Sequence, residues 1–300
     1  MSRSGETGVV IGRALKAGCH YRAMRPPTHG FDSSRGNDIG KKTGSNAPGS
    51  INFRGARKYR VYKPAKQPEM PRNQKDVIIM DELPGDGEPQ SWLGFSYRLF
   101  RPDDASDETL FLLHGSGVDE MTLVPLGRQI AQRAVLVAVR GRIPQEDGFR
   151  WFTRITPTRF EQESIRSETH AFANFATEIA ARHALDLWRT TFLGYSNGAN
   201  LVSSLMLLHP GLVAQAALLR AMPVLDAVPP MDLSAARVLV ITGEADLTYA
   251  PFAPALEALL ELHGAKVEAR TVSSGHEFGP PDAAIVKQWL AEPATVSGIG

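Results

Sequence analysis

Ser196 stands between two glycines in the run Gly194-Tyr195-Ser196-Asn197-Gly198, where the apolar stretch TTFL meets the small-residue pattern ANLVSSLMLL. The spacing G-x-S-x-G has a mechanical meaning. A serine on a sharp strand-to-helix turn holds a strained backbone conformation, and side chains at the flanking positions would collide with the strand and the helix. The hydroxyl is lifted above the sheet edge. The helix that follows points its unpaired N–H groups and positive dipole end at any oxyanion formed beside Ser196. The chemistry implied is nucleophilic attack on a carbonyl; the plain alternative is a serine capping an ordinary strand-helix junction.

A serine hydroxyl is a weak nucleophile and needs a base and a group to orient that base. Asp246 lies in GEADLTYAP, just after the apolar run RVLVITG, and His276 lies in SSGHEFGPP, just after KVEARTV. Asp226 and Glu244 are alternative acids. Among the eight histidines, His276 is the one in a glycine-flanked loop behind a late strand. His170 and His183 read as helix-surface residues and His209 as a helix end. The remaining requirement is a pair of oxyanion donors. The main-chain N–H of Asn197 supplies one, and that of Ser116, in the HGSG run at 114–117 behind LFLLH, supplies the other. His114 braces that loop rather than serving as the base.

The elements that must position these residues follow from periodicity. Short apolar runs at 77–80, 94–100, 110–114, 134–139, 190–195, 215–220, 237–243 and 266–272 read as strands. Helical patterns at 123–133, 161–183, 197–209, 253–264 and 281–292 separate them. In 161–183, Ile165, Phe172, Phe175, Ala176 and Ile179 form one apolar stripe, as on a helix covering a sheet. Such alternation predicts an α/β fold, a mostly parallel, doubly wound sheet with helices on both faces. The first two strands, with PGDG between them, read as an antiparallel hairpin. Loops at the carboxyl ends of parallel strands share one rim, so Ser196, Asp246 and His276 can converge across separations of 50 and 30 residues.

Charge divides the chain. Residues 1–76 carry 16 Lys+Arg against 5 Asp+Glu, and residues 77–300 carry 17 against 27, although the whole chain is only +1. The first segment is rich in Gly, Ser, Asn, Pro and Arg without apolar periodicity, and reads as a basic, disordered tail ahead of a catalytic domain at 77–295. No aromatic interleaving or binding motif supports nucleic-acid contact by this tail. No apolar run approaches the ~18 residues of a membrane span. The single cysteine, Cys19, leaves no internal disulfide and suits a reducing cytoplasm.

Taken together, LFLLHGSGVDE, the AVRGRIPQEDGFRWF region, LGYSNGANLVSSLMLLHP, LLRAMPVL, ITGEADLTYAP and SSGHEF resemble the phospholipase/carboxylesterase group of α/β-hydrolases. That group also contains acyl-protein thioesterases and dienelactone-hydrolase relatives. The resemblance covers residues 110–290. It implies the α/β-hydrolase fold, the order Ser-Asp-His, and hydrolysis of small carboxylic esters through an acyl-serine, without cofactor or metal. By the same resemblance Trp151, Phe152 and Met222 line the substrate pocket, although as bare sequence they read as core residues. The chain departs from the family where the acid loop, usually D-x-x-V-P, reads ADLTYAPF. A dienelactone hydrolase needs a cysteine nucleophile, and Cys19 lies in the tail. Thioester or lysophospholipid hydrolysis by the same residues, and a non-catalytic binding protein of this fold, are the rival functions. A small-molecule ester is the expected partner; a homodimer is compatible with the sequence.

Overall fold

The computed structural model describes residues 86–145 and 148–292. The basic tail at 1–76, Cys19 and the strand expected at 77–80 lie outside the described residues. So do residues 293–295 at the end of the expected domain.

The chain enters with β1 (Pro89–Trp92) and β2 (Phe95–Phe100), an antiparallel hairpin closed at Leu93 and Gly94. Both turn residues have positive φ, 46° and 79°. The hairpin partner of β2 is therefore β1, a four-residue strand with little apolar content that periodicity did not mark. Next come β3 (Thr109–Leu113), α1 (Val124–Ile130) and β4 (Val135–Arg140). Two small hairpins follow, β5 (Ile143–Gln145) with β6 (Gly148–Arg150) and β7 (Arg154–Thr156) with β8 (Arg159–Phe160). The chain then runs through α2 (Gln162–Arg182), β9 (Thr190–Tyr195), α3 (Asn197–Leu208), β10 (Gln215–Leu219) and β11 (Arg237–Gly243). It closes with α4 (Ala253–Leu262), β12 (Lys266–Val272) and α5 (Pro280–Ala291).

Eight strands form one sheet in the order β1-β2-β4-β3-β9-β10-β11-β12. The β1–β2 and β2–β4 pairs are antiparallel and the remaining pairs parallel. The period-2 alternation of strand side chains sorts the core into two layers. Phe111, Leu113, Val135, Val137 and Val139 face one layer with α2, α3 and α4, whereas Leu110, Leu112, Leu136 and Ala138 face the other with α1 and α5. The stripe on α2 is fully buried: Ile165, Phe172, Phe175, Ala176 and Ile179 are all 0% exposed. Burial of each large side chain there stabilises the fold by about 1.5–3 kcal/mol. The central parallel strands are apolar on both faces because both faces are covered. Among the described residues no helix is long and apolar enough to cross a membrane.

Candidate active site

Ser196 sits on the elbow between β9 and α3, with φ 52° and ψ −115°. A non-glycine residue is rare in this region, and the strain persists because the surroundings over-determine it. The Ser196 N–H donates to the Leu219 carbonyl at 2.7 Å, and the Ser196 carbonyl accepts from Asn200 N–H at 3.0 Å. Both glycines of the motif are required by close approach. A Cβ on Gly194 would lie 2.5 Å from the Ala199 backbone, and one on Gly198 would strike the Leu113 carbonyl oxygen.

From this elbow the Ser196 Oγ lies 2.9 Å from His276 Nε2, and His276 Nδ1 lies 2.7 Å from Asp246 Oδ2. The second carboxylate oxygen, Oδ1, accepts the N–H groups of Tyr249 at 3.0 Å and Thr248 at 3.3 Å. The acid is thus held by its own loop, with one oxygen left for the imidazole. Asp226 and Glu244 are exposed and make no hydrogen bond to His276 among the described residues. The ring of Tyr249 lies 4.6 Å from the imidazole and that of Tyr195 5.5 Å. The two tyrosines flank the imidazole, and Tyr195 also donates its hydroxyl to the His276 carbonyl at 3.1 Å. The unusual ADLTYAPF loop therefore supplies an aromatic neighbour as well as the carboxylate.

On the other side of Ser196, His114 is 1% exposed. Its Nδ1 donates to the Gly115 carbonyl at 2.6 Å, while Nε2 accepts the Gly141 N–H at 2.9 Å. One nitrogen must carry a proton and the other must lack one, so the ring is neutral. Burial lowers its pKa to about 4. The Gly117 N–H donates to Phe149 O at 2.9 Å and fixes the far end of the same loop. Between these two anchors Ser116 borders the cavity above Ser196. Asn197 opens α3, where N–H groups have no carbonyl one turn back. The arrangement can move a proton from a hydroxyl to an imidazole while N–H groups and a helix N-terminus receive negative charge.

Arg220, unremarked in the sequence, organises the histidine loop. Its guanidinium is 0% exposed and pairs with Asp282 at 2.8 Å. It donates to Ser274 Oγ at 2.9 Å, Gly275 O at 3.0 Å and Glu277 O at 2.8 Å, bracketing His276 on both sides. Only a buried pair with every donor engaged makes such a charge tolerable. The sole sequence signal was an arginine at the end of an apolar strand.

The three residues expected in the pocket lie elsewhere. Trp151 and Phe152 are 0% and Met222 1% exposed, and none is among the residues lining the cavity at Ser196. Trp151 instead ties two loops: its N–H donates to Asn197 Oδ1 and its indole N–H to His114 O, each at 2.8 Å. The Met222 N–H donates to Asn200 Oδ1 at 2.9 Å, and the Phe152 ring packs on Phe160. These three large apolar side chains were drawn into the core, and the aromatic groups that do border the cavity are Phe160, Tyr195 and Tyr249. His183, expected on a helix surface, is buried with Nε2 3.1 Å from the Tyr97 hydroxyl.

The cavity measures about 220 Å³. One wall comes from the β5–β8 segment, which contributes Arg150, Arg154, Pro157 and Phe160. Among the described residues no three His, Cys, Asp or Glu side chains gather where a metal could bind.

A mostly parallel eight-stranded sheet with a serine elbow at the carboxyl end of a central strand defines an α/β-hydrolase. No protein-family model matches the chain. It is similar to a carboxylesterase from Mesorhizobium loti, with 66% identity over 70% of this chain and 100% of that one and a TM-score of 0.68. A carboxylesterase of Bacillus cereus is 26% identical over 65% of this chain and 93% of its own, with a TM-score of 0.63. MhqD of Bacillus subtilis (strain 168), whose name places it among the hydrolases, is 29% identical over 62% of this chain and 94% of its own length. The chain belongs to the esterase family of α/β-hydrolases, and it is a carboxylesterase.

Proposed function

We propose that Ser196, His276 and Asp246 carry out the ester hydrolysis, with the main-chain N–H groups of Ser116 and Asn197 as the oxyanion donors. The observation that carries this reading is the continuous contact Ser196 Oγ–His276 Nε2–Asp246 Oδ2, at 2.9 and 2.7 Å. Ser196 Oγ attacks the ester carbonyl as His276 Nε2 takes its proton. The carbonyl oxygen becomes an oxyanion between the two N–H groups, each worth about 2.7–4 kcal/mol in the transition state. Asp246 keeps the imidazole in the tautomer with hydrogen on Nδ1 and balances the imidazolium. Collapse of the intermediate breaks the bond to the alcohol, which leaves with the proton from Nε2. Water then gives a proton to the same nitrogen, attacks the acyl-serine, and releases the acid and Ser196.

A cavity of about 220 Å³ favours short acyl chains over long ones, with no organic cofactor or metal needed for any step. We assign the catalytic domain to residues 77–295, supported by the position of every site residue between 114 and 282. We place the enzyme in the cytoplasm, in keeping with its single cysteine. A fluorophosphonate probe tests the residue roles. Wild-type protein should be labelled and should hydrolyse p-nitrophenyl butyrate, and Ser196→Ala should lose both properties. Undiminished labelling of Ser196→Ala would sink the proposal.

A further inference from the structure

We infer that Tyr249 decides which alcohols the enzyme can release: its ring closes the cavity beside His276 and shuts out esters of long or bulky alcohols. This rests on the proposed roles of Ser196 and His276. The Tyr249 ring lies 4.6 Å from the imidazole, and its hydroxyl donates to the Pro157 carbonyl at 3.4 Å. His276, Tyr249 and Pro157 all border the same cavity. One side chain therefore spans the space from the imidazole to the turn between β7 and β8. The contact to Pro157 is long for a hydroxyl, so the bulk of the ring, rather than its hydrogen bond, forms the barrier.

The barrier is held at both edges. The Tyr249 N–H donates to Asp246 Oδ1 and its carbonyl accepts the Phe252 N–H, each at 3.0 Å, so the residue cannot swing away on its backbone without loosening the acid. The other large apolar side chains of that loop turn to solvent, Leu247 88% and Phe252 37% exposed, whereas Tyr249 is half-buried and packs against the core layer of α2, α3 and α4. Across the cavity the hairpin is anchored by the Glu161 N–H to the Thr153 carbonyl and the Thr153 N–H to Ser164 Oγ, each at 2.9 Å. Counted from Asp246, the valine of the D-x-x-V-P spacing falls at position 249, so this chain carries an aromatic ring where a smaller aliphatic group would stand.

The chemistry says which half of the ester meets this ring. Ser196 Oγ takes the carbonyl carbon and the N–H donors take its oxygen, while the alcohol oxygen must come within hydrogen-bond reach of His276 Nε2 to collect its proton. The alkyl group on that oxygen then runs beside the imidazole, toward the ring centred 4.6 Å from it. The acyl chain leaves the same carbon from a different corner. A fixed pocket wall discriminates by about tenfold or more per methylene that it cannot accommodate.

The test uses hexyl acetate and ethyl hexanoate, isomers that carry the longer chain on opposite sides of the ester, each compared with ethyl acetate in a pH-stat. For wild type, kcat/KM on hexyl acetate should lie about tenfold or more below that on ethyl acetate. Tyr249→Val should bring hexyl acetate to within about threefold of ethyl acetate, chiefly through KM, while the ratio of ethyl hexanoate to ethyl acetate stays at its wild-type value. Tyr249→Leu should give an intermediate hexyl acetate ratio, and Tyr249→Phe, which keeps the ring, should keep the wild-type one. Fluorophosphonate labelling of each variant identifies those whose nucleophile is intact and whose ratios are compared. A wild type that turns over hexyl acetate as well as ethyl acetate overturns the inference while leaving the hydrolytic roles intact. So does a hexyl acetate ratio unmoved in the labelled Val or Leu variant, an equal or larger gain on ethyl hexanoate, or a Tyr249→Phe ratio that moves as far as that of Tyr249→Val. No turnover of any of these esters, with no fluorophosphonate labelling of wild type, would sink the role of Ser196 and this inference with it.

Discussion

The two ends of the sheet hold cavities of opposite character. At the amino ends of β3, β9 and β10 lies a space of about 480 Å³ bordered by Glu108, Thr109, Trp188, Arg189, Gln215 and Lys287. At the carboxyl ends lies the space of about 220 Å³ that contains Ser196 and His276. The larger one has hydroxyls and charges, but no histidine among the described residues borders it. The smaller one has a strained serine, a histidine bound to a buried aspartate, and the N-terminus of a 12-residue helix. Volume does not mark the chemistry here. In parallel strand-helix units the carboxyl end is where helix N-termini and the longest converging loops meet, so side chains from distant segments and unpaired N–H groups converge there.

The difference between the two ends can be broken or sharpened by substitution. The largest effect is expected from Asp246→Asn at the carboxyl end, which leaves shape nearly unchanged but favours the wrong imidazole tautomer. Its kcat should fall about 10⁴-fold, measured on a short p-nitrophenyl ester; a loss under about tenfold would remove Asp246 from the proposed roles.

A smaller effect concerns stability at the same end. The folded pKa of His114, about 4, lies below its ordinary value of 6.5. Between those values the unfolded chain binds the proton and the folded one does not, so the contribution is intact above pH 6.5 and is lost as pH falls toward 4. At about 1.4 kcal/mol per unit, the loss amounts to about 3 kcal/mol. Burial depresses His183 and His209 as well, so the informative quantity is the difference between wild type and His114→Gln. Urea denaturation at several pH values should show a flatter dependence in the variant. An identical slope would mean that His114 is not the group responsible.

The smallest effect belongs to the amino end. Trp188 is 64% exposed there, and Trp188→Ala should change kcat/KM on the same ester by less than about twofold, as surface substitutions usually do. A tenfold loss would erase the functional contrast between the two cavities.

Much of the site was legible because its parts sit at strand ends marked by strong local signals. Gly194 and Gly198 flank Ser196, and the apolar runs before Asp246 and His276 are long enough to read as strands. The structure brings His276 within hydrogen-bond distance of both Ser196 and Asp246. The hairpins β5–β8 were not legible, since strands of two or three residues cannot display a period. With them one wall of the cavity was missed. Trp151, Phe152 and Met222 were read as pocket residues through resemblance, but for large apolar groups core burial prevails over exposure at a polar cavity.

The sequence by itself determined the parallel sheet, the elbow at Ser196 and the placing of Asp246 and His276 behind later strands, because these depend on periodicity and on backbone demands that glycine alone can meet. Tertiary structure decided which side chains face one another across distant segments. It set Arg220 behind the His276 loop, 55–57 residues away in the chain, and put Tyr249 beside the imidazole. Such outcomes depend on how packed layers share burial and charge among residues far apart in the chain, and no local pattern encodes that division.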